Sequence, residues 1–433
     1  MARHPRRCRY GGLPALAAAV VILAACGSAP MPLPAPQAPP ARPRCGGPVL
    51  ALGAPQLQRA YQVTAMLAAG TGGRGTTIAD IVPWASPWIT HDLDVYSRRY
   101  HLPAPRLTLI NWDHASPATP GDPEAAGWAG EGLADLEMMH ALAPAATLIY
   151  LETPDTGTPG VWYTQALTWL TAHHPPDVVS YSSGLPENPA ILGSRAGLQA
   201  AARAGVTVVA GTGDTGATEP EPGGQVLYPY PVALWPASDP LVTAVGGTRL
   251  QVDRAGNLTG PGTAFSDVGG WAGGAGRSGL FPRPAWQDRV RAVAGGRRGI
   301  ADIAMDASNC SPAAVFEQPL MPGSGWGTAQ GTSISAPLFA ALVADAAQLA
   351  GHRLGVLGPA LYSLHGAADG ITDITSGTDT IPGMAGFPAR PGYDLPTGLG
   401  TVGDAGQFTA ALARASGPAA RERHPAEASP WPA

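Results

Sequence analysis

The chain has 433 residues, 45% of them hydrophobic and only 13% charged, with 57 Gly and 47 Pro. That length and apolar content suit a loop-rich globular protein with a sizeable core, and exclude disorder through most of the chain. A net charge of -5 with a pI near 6.0 offers no basic field for nucleic acid, and because every basic position other than histidine is arginine a Ser-Lys dyad is excluded too.

The N-terminus reads as a targeting segment. Arg3, Arg6, Arg7 and Arg9 precede an apolar run from Leu13 to Ala25, which closes as Leu23-Ala24-Ala25-Cys26-Gly27. The run is short for a membrane span, which needs ~20 residues. It resembles a bacterial lipobox, which implies a signal peptide over 1–25, lipid on Cys26 and extracytoplasmic anchoring to the cell membrane. A plain secretory signal is the alternative. Residues 26–44, rich in Pro and Ala, read as an extended tether. With Cys8 removed and Cys26 lipidated, Cys45 and Cys310 remain in an oxidising compartment. A disulfide between them is one outcome, two free thiols the other.

From there short apolar runs alternate with helix-like stretches, the pattern of an α/β domain with a largely parallel sheet. Strands are predicted at Thr77 to Val82, Ala146 to Leu151, Asp177 to Tyr181, Val206 to Ala210 and Leu241 to Val245. Helices are predicted at Gln56 to Ala69, Asp92 to Tyr100, Glu131 to Ala143, Thr164 to Ala172, Gly193 to Ala204 and Ser335 to Leu349. Gly269 to Gly279 and Phe281 to Pro284 read as irregular, and the tail over 416–433 as disordered.

Three places carry candidate chemistry. Glu131 and Asp135, four apart on a predicted helix, share one face; an acidic first turn answering the helix dipole is the plainer reading. Glu137 lies on another face and is expected to be solvated. Asp214 stands among glycines just past a strand's carboxyl end, where α/β folds gather their sites, although a turn-forming Asp has the same context. Ser333, in Gly331-Thr332-Ser333, opens an apolar helix whose first N–H groups suit an oxyanion; a plain N-cap serine is the alternative. No histidine near it is an obvious base.

Together these pieces resemble one family, the sedolisins, serine-carboxyl peptidases with a subtilisin-like fold. The matches run in order: Gly130-Glu131-Gly132-Leu133-Ala134-Asp135-Leu136-Glu137 with Ala141-Leu142-Ala143-Pro144, then Gly213-Asp214-Thr215-Gly216, then Gly331-Thr332-Ser333. Val178 to Ser182, Trp235 to Ser238, Val242 to Thr248 and Phe281 to Gln287 are similar too. The resemblance implies a three-layer α/β fold over 45–415, with a mostly parallel central sheet and helices on both faces. It implies Ser333 as nucleophile, Glu131 as general base, Asp135 as the carboxyl that orients it, and Asp214 as an oxyanion-hole donor. A carboxylate base and a protonated Asp214 both imply an acidic optimum. The implied substrate is a peptide or protein, and the implied state a monomer.

The resemblance extends to calcium loops, Asp373-Ile374-Thr375 and Pro391-Gly392-Tyr393-Asp394. One structural Ca²⁺ would take the carboxylates of Asp373 and Asp394 and backbone carbonyls of Ile374, Arg390 and Gly392. A histidine triad does not fit, because His365-Gly366 follows the serine and His140 reads as packing or solvated. Three departures stand out. Val82 occupies the place of a supporting acidic residue, with Asp80 two residues earlier. Ser183 replaces a tryptophan. The short stretch between the lipobox and the first helix leaves no room for the usual prosegment. They support a second reading, a surface lipoprotein that binds peptides or a partner without turnover.

Overall fold

A ten-stranded sheet organises the chain. The computed structural model describes residue 45 and residues 49–417, apart from 120, 155–158, 223, 225, 268 and 319–324; the predicted signal, Cys26, the tether and the tail beyond 417 lie outside the described residues. Seven strands form the parallel body: β1 (Thr77–Pro83), β2 (Arg106–Asn111), β3 (Thr147–Thr153), β4 (Val178–Tyr181), β5 (Thr207–Gly211), β6 (Thr243–Arg249) and β7 (Ile303–Asp306). Their order across the sheet is β7-β6-β5-β4-β1-β3-β2. Thr263–Ala264 pairs antiparallel with β6, while Thr401–Val402 and then Ile371–Thr372 extend the sheet beyond β7.

Both faces are covered, as a parallel sheet requires. Alternation along each strand divides the core. Ile78, Val82, Leu148, Tyr150, Val209 and Val245 face one layer; Ala79, Ile81, Ile149, Leu151, Val179 and Val208 face the other. The first layer holds α1 (Ala54–Ala60), α2 (Thr64–Ala68), α3 (Ile89–Arg99), α4 (Pro123–Leu142), α7 (Thr332–Ala350) and α8 (Ala405–Ala415). The second holds α5 (Pro159–His173) and α6 (Ala196–Arg203). A hairpin of β8 (Ala313–Glu317) and β9 (Gly325–Ala329) leads into α7. Cys45 and Cys310 are joined in a disulfide across 265 residues.

Several boundaries differ from the sequence reading. The predicted helix over Gln56 to Ala69 is two helices, because Gln62 turns into the left-handed region at φ 58°. α4 begins eight residues before Glu131, with Pro123 at its first position and the Asp122 carboxylate accepting the N–H groups of Glu124 and Ala125 at 3.0 and 3.2 Å. The stretch expected to be irregular contains the strand Gly276–Pro282, paired antiparallel with Arg297–Ile300. Ser416, placed in the tail by sequence, closes α8 by donating its N–H to Leu412.

Candidate active site

Ser333 is the second residue of α7 and is partly open to a cleft, while Thr332 and Ile334 beside it are buried. It is not an N-cap: that position is Gly331, which has no side chain to cap with. Gly331 has φ 102°, and a Cβ there would stand 2.5 Å from Asp214 Oδ2. Glycine is therefore required twice over, by the turn and by the close carboxyl. Pro337 lacks the N–H that would bond the Ser333 carbonyl one turn back. That carbonyl instead lies 3.4 Å from the Ser182 hydroxyl.

Glu131 and Asp135 lie in the middle of α4, so the helix dipole gives no reason for either charge. Asp135 is fully buried, and Ser182 donates to its Oδ1 at 2.8 Å. Burial, then the charges of Asp80 and Glu131, hold the Asp135 carboxyl well above its usual range. Glu131 reaches Ser333. Burial pushes its pKa up to about 7, and a hydrogen bond from the Ser333 hydroxyl pulls in the opposite direction. Its Oε1 is buried with no partner among the described residues.

A third carboxyl, not counted by sequence as part of the site, completes this row. Asp80 lies on β1 on the same face as Ile78 and Val82, and so points at α4. Val82, which stands where the supporting acid was sought, is core. Asp80 is buried, raised first by desolvation and then by the Glu131 charge, and within hydrogen-bonding reach of Asp135. Neither Asp80 oxygen nor Asp135 Oδ2 has a hydrogen-bond partner among the described residues, and burial beside a like charge favours the neutral form of each. Tyr150, directly across the β1–β3 pair from Asp80, brings its hydroxyl to the same group, and Gly132 on α4 leaves the space for it. The signal available in sequence was strand parity: Asp80 shares the face of residues 78 and 82.

Asp214 follows β5 and lies against the start of α7. Its Oδ1 accepts the Thr332 N–H at 2.7 Å, which caps α7 from a distant segment. Burial raises its pKa to about 6, against the bonds from Thr332 that lower it. With Oδ1 so held, Oδ2 is the oxygen left to carry a proton. Glu219, buried nearby and raised by desolvation and by Asp214, accepts from Thr215 at 3.4 Å.

Two expectations about α4 change. Glu137 is not solvated: it is fully buried, and both its oxygens accept the Phe316 N–H of β8, at 3.3 and 3.1 Å. α4 is covered on the side away from the sheet by the hairpin. His140 packs rather than meets solvent, with Nε2 2.9 Å from the Pro103 carbonyl. Ser183 hydrogen-bonds Tyr181 and stays outside the carboxyl row.

The C-terminal loops bring the two predicted calcium carboxylates together. Asp394 is buried, accepts from Arg390 N–H at 2.7 Å and from Thr397 N–H at 2.9 Å, and is raised in pKa first by burial and, least, by the charge of Asp373. Asp373 Oδ2 accepts the Gly392 N–H at 2.8 Å, but its Oδ1 is buried with no partner. Among the described residues no group of three or more His, Cys, Asp or Glu side chains gathers in a metal-binding cluster. A site here depends on backbone carbonyls for the rest.

A sequence model of the subtilase family matches residues 124–357, the span from the start of α4 through α7. The chain belongs to the subtilase family. Its relatives include proteins of the sedolisin type. It is 38% identical over 349 residues to kumamolisin of Bacillus sp. (strain MN-32), covering 77% of this chain and 59% of that relative. It is 30% identical over 294 residues to sedolisin of Pseudomonas sp. (strain 101), covering 63% of this chain and 48% of the relative. The chain thus spans about half to three fifths of these relatives. The solved structure of Pseudomonas sedolisin, a serine-carboxyl proteinase complexed with two molecules of pseudo-iodotyrostatin, superposes with a TM-score of 0.68 at 23% identity, over 87% of this chain and all of that one. The fold of this subtilase is accordingly the subtilisin-like α/β fold, with the parallel sheet between two helical layers.

Proposed function

We propose that this subtilase hydrolyses peptide bonds through Ser333 with a carboxylate base, on the acid side of neutrality. The observation that carries the reading is the gathering of Glu131, Asp135 and Asp80 beside Ser333, with the half-buried Asp214 held against the start of the same helix by the Thr332 N–H. Glu131 takes the Ser333 proton as Oγ attacks the substrate carbonyl carbon. The negative charge that develops on the carbonyl oxygen meets the protonated Asp214 and the Ser333 N–H, free in the first helical turn. Glu131 then gives its proton to the leaving amine, and in the second half activates the water that releases the acid. Asp135 fixes Glu131 through the helix they share, and Asp80 and Ser182 fix Asp135.

The pH dependence follows. Glu131 must be ionised, and loses its proton at about 7; Asp214 must be protonated, and keeps its proton up to about 6. The required state is a minority form, greatest between those two values, so the rate peaks just below neutrality and falls on either side. A mixed peptide library should be cleaved by the mature protein and left intact by Ser333→Ala; an intact library with both proteins rejects the reading.

The orphaned Asp373 oxygen beside the Asp394 carboxylate suits a cation, and Asp373, Asp394 and the carbonyls of Ile374, Arg390 and Gly392 would hold one structural Ca²⁺. It would neutralise the paired carboxylates and lock the two loops. Loss of melting temperature on chelation, restored by Ca²⁺, tests this. Anchoring through lipid on Cys26 is supported by the Leu23-Ala24-Ala25-Cys26 pattern; Cys26→Ser should move the protein from the membrane to the soluble fraction.

A further inference from the structure

Beyond the catalytic row, a cavity of about 440 Å³ opens from Ser333 and Glu131 towards the β8–β9 hairpin, bounded there by Glu317, Thr328 and Gln330 and on the far side by Trp88. Which half of a substrate it takes is settled by its neighbours. Asp214, which marks the destination of the carbonyl oxygen, is not among its walls; Glu131, which hands the proton to the leaving amine, is. The cavity therefore receives the residues that follow the cleaved bond.

Its charge is one-sided. Glu317, the last residue of β8, brings its carboxylate over Gly130, the residue before the catalytic base; a Cβ at Gly130 would stand 3.0 Å from Glu317 Oε1. Asp92 on α3 lines the same cavity, its Oδ1 2.8 Å from His91 Nδ1 and its Oδ2 accepting the Gln318 N–H at 2.6 Å. With Glu137 binding the Phe316 N–H, carboxylates on α3 and α4 grip the hairpin on both sides of Glu317. Among the described residues no arginine pairs with Glu317. Fixing an unpaired carboxylate in a half-buried wall costs desolvation that nothing among the described residues repays.

We infer that Glu317 is a specificity-determining residue that selects a cationic side chain, arginine or lysine, within two residues after the cleaved bond. The inference rests on the peptidase reading. A guanidinium entering the cavity would donate charge-assisted hydrogen bonds to the Glu317 carboxylate, where a neutral side chain leaves it bare. The discrimination then lies in substrate binding on the leaving-group side, separate from the chemistry at Ser333.

The test uses two sets of internally quenched peptides, differing only at the first or at the second position after the cleaved bond, with arginine, its neutral isostere citrulline, or glutamate. Assayed between about pH 6 and 7, the wild type should favour arginine over citrulline by on the order of tenfold in kcat/KM, carried by KM, in at least one set. In Glu317→Gln that ratio should collapse towards one, and in Glu317→Arg the glutamate peptide should become the better substrate. Ratios within one variant cancel any general loss of active protein. Equal rates for arginine and citrulline in the wild type, or a preference that survives Glu317→Gln, overturn the inference. If no peptide is cleaved, the peptidase reading falls, and the affinities of the same peptides for Ser333→Ala still decide the subsite: tighter arginine binding upholds it, equal binding rejects it.

Discussion

Asp214 shows how one residue joins local geometry to a rate. One of its oxygens is committed to the Thr332 N–H, and burial keeps the carboxyl protonated up to about 6. An asparagine in that place retains a donor that does not titrate. Asp214→Asn should therefore keep a measurable rate and lose the fall in activity expected of the wild type on the alkaline side of its maximum, above about 7; Asp214→Ala should lose about 10²–10³ in kcat at every pH. A pH–rate profile of the three proteins checks this, and an alkaline limb unchanged in Asp214→Asn removes Asp214 from the mechanism. At this scale Ser333, Glu131, Asp135 and Asp214 were legible in sequence because they stand in short ordered motifs. Asp80 and Tyr150 were not: each is one residue in an apolar strand, and only the register β1 makes with β3 turns both hydroxyl and carboxyl onto α4.

At the scale of elements, the site depends on how α7 begins. Gly331 at φ 102° lets the chain enter the helix while Asp214 sits against it. Gly331→Ala should displace Asp214 or the serine, and the positive φ adds strain of about 1–3 kcal/mol. The expected outcome is a folded protein with activity reduced by at least an order of magnitude and a lowered Tm; wild-type kinetics in that variant would show that the approach of Asp214 is unnecessary. The helices and strands around the site were readable from apolar periodicity, but their ends were less so. Glu131 looked like a first-turn acid because Gly127 and Gly130 obscure the helical pattern before it, and Glu137 looked solvated because a sequence does not reveal that β8 will cover its face. The β8–β9 hairpin was missed for the same reason: its strands form only by pairing with each other, and they carry little alternation of their own.

For the whole molecule, the unusual feature is how many carboxyls burial holds above their ordinary range. Asp306 is raised to about 8, and Asp345 and Glu219 are also raised, each mainly by desolvation. The folded state binds more protons than the unfolded chain between about pH 4, where free carboxyls ionise, and those raised values. Stability is thus greatest at acid pH and falls as pH rises through that window, by about 1.4 kcal/mol per pH unit for each such group. His140, kept neutral by burial, works the other way below about pH 6.5 but is a single group. The Tm of Ser333→Ala should be higher at about pH 5 than at about pH 8; an equal or higher Tm at the alkaline value contradicts the burial of these acids. The proposed optimum below neutrality and a fold that is more stable there agree. The global fold was legible from the order of strands and helices; eliminating the other two cysteines left Cys45 and Cys310 as the candidate pair but did not decide between a disulfide and free thiols, and the structure shows the disulfide. What would most separate this molecule from a histidine-driven subtilase is the proposed carboxylate base, and the direct measurement is hydrolysis of a quenched peptide by the wild type and by Glu131→Gln from about pH 3 to 9. The account predicts a bell with its maximum below neutrality for the wild type and a loss of about 10²–10⁴ at every pH for Glu131→Gln. Activity that survives that substitution, or that climbs steadily into alkaline pH, contradicts it.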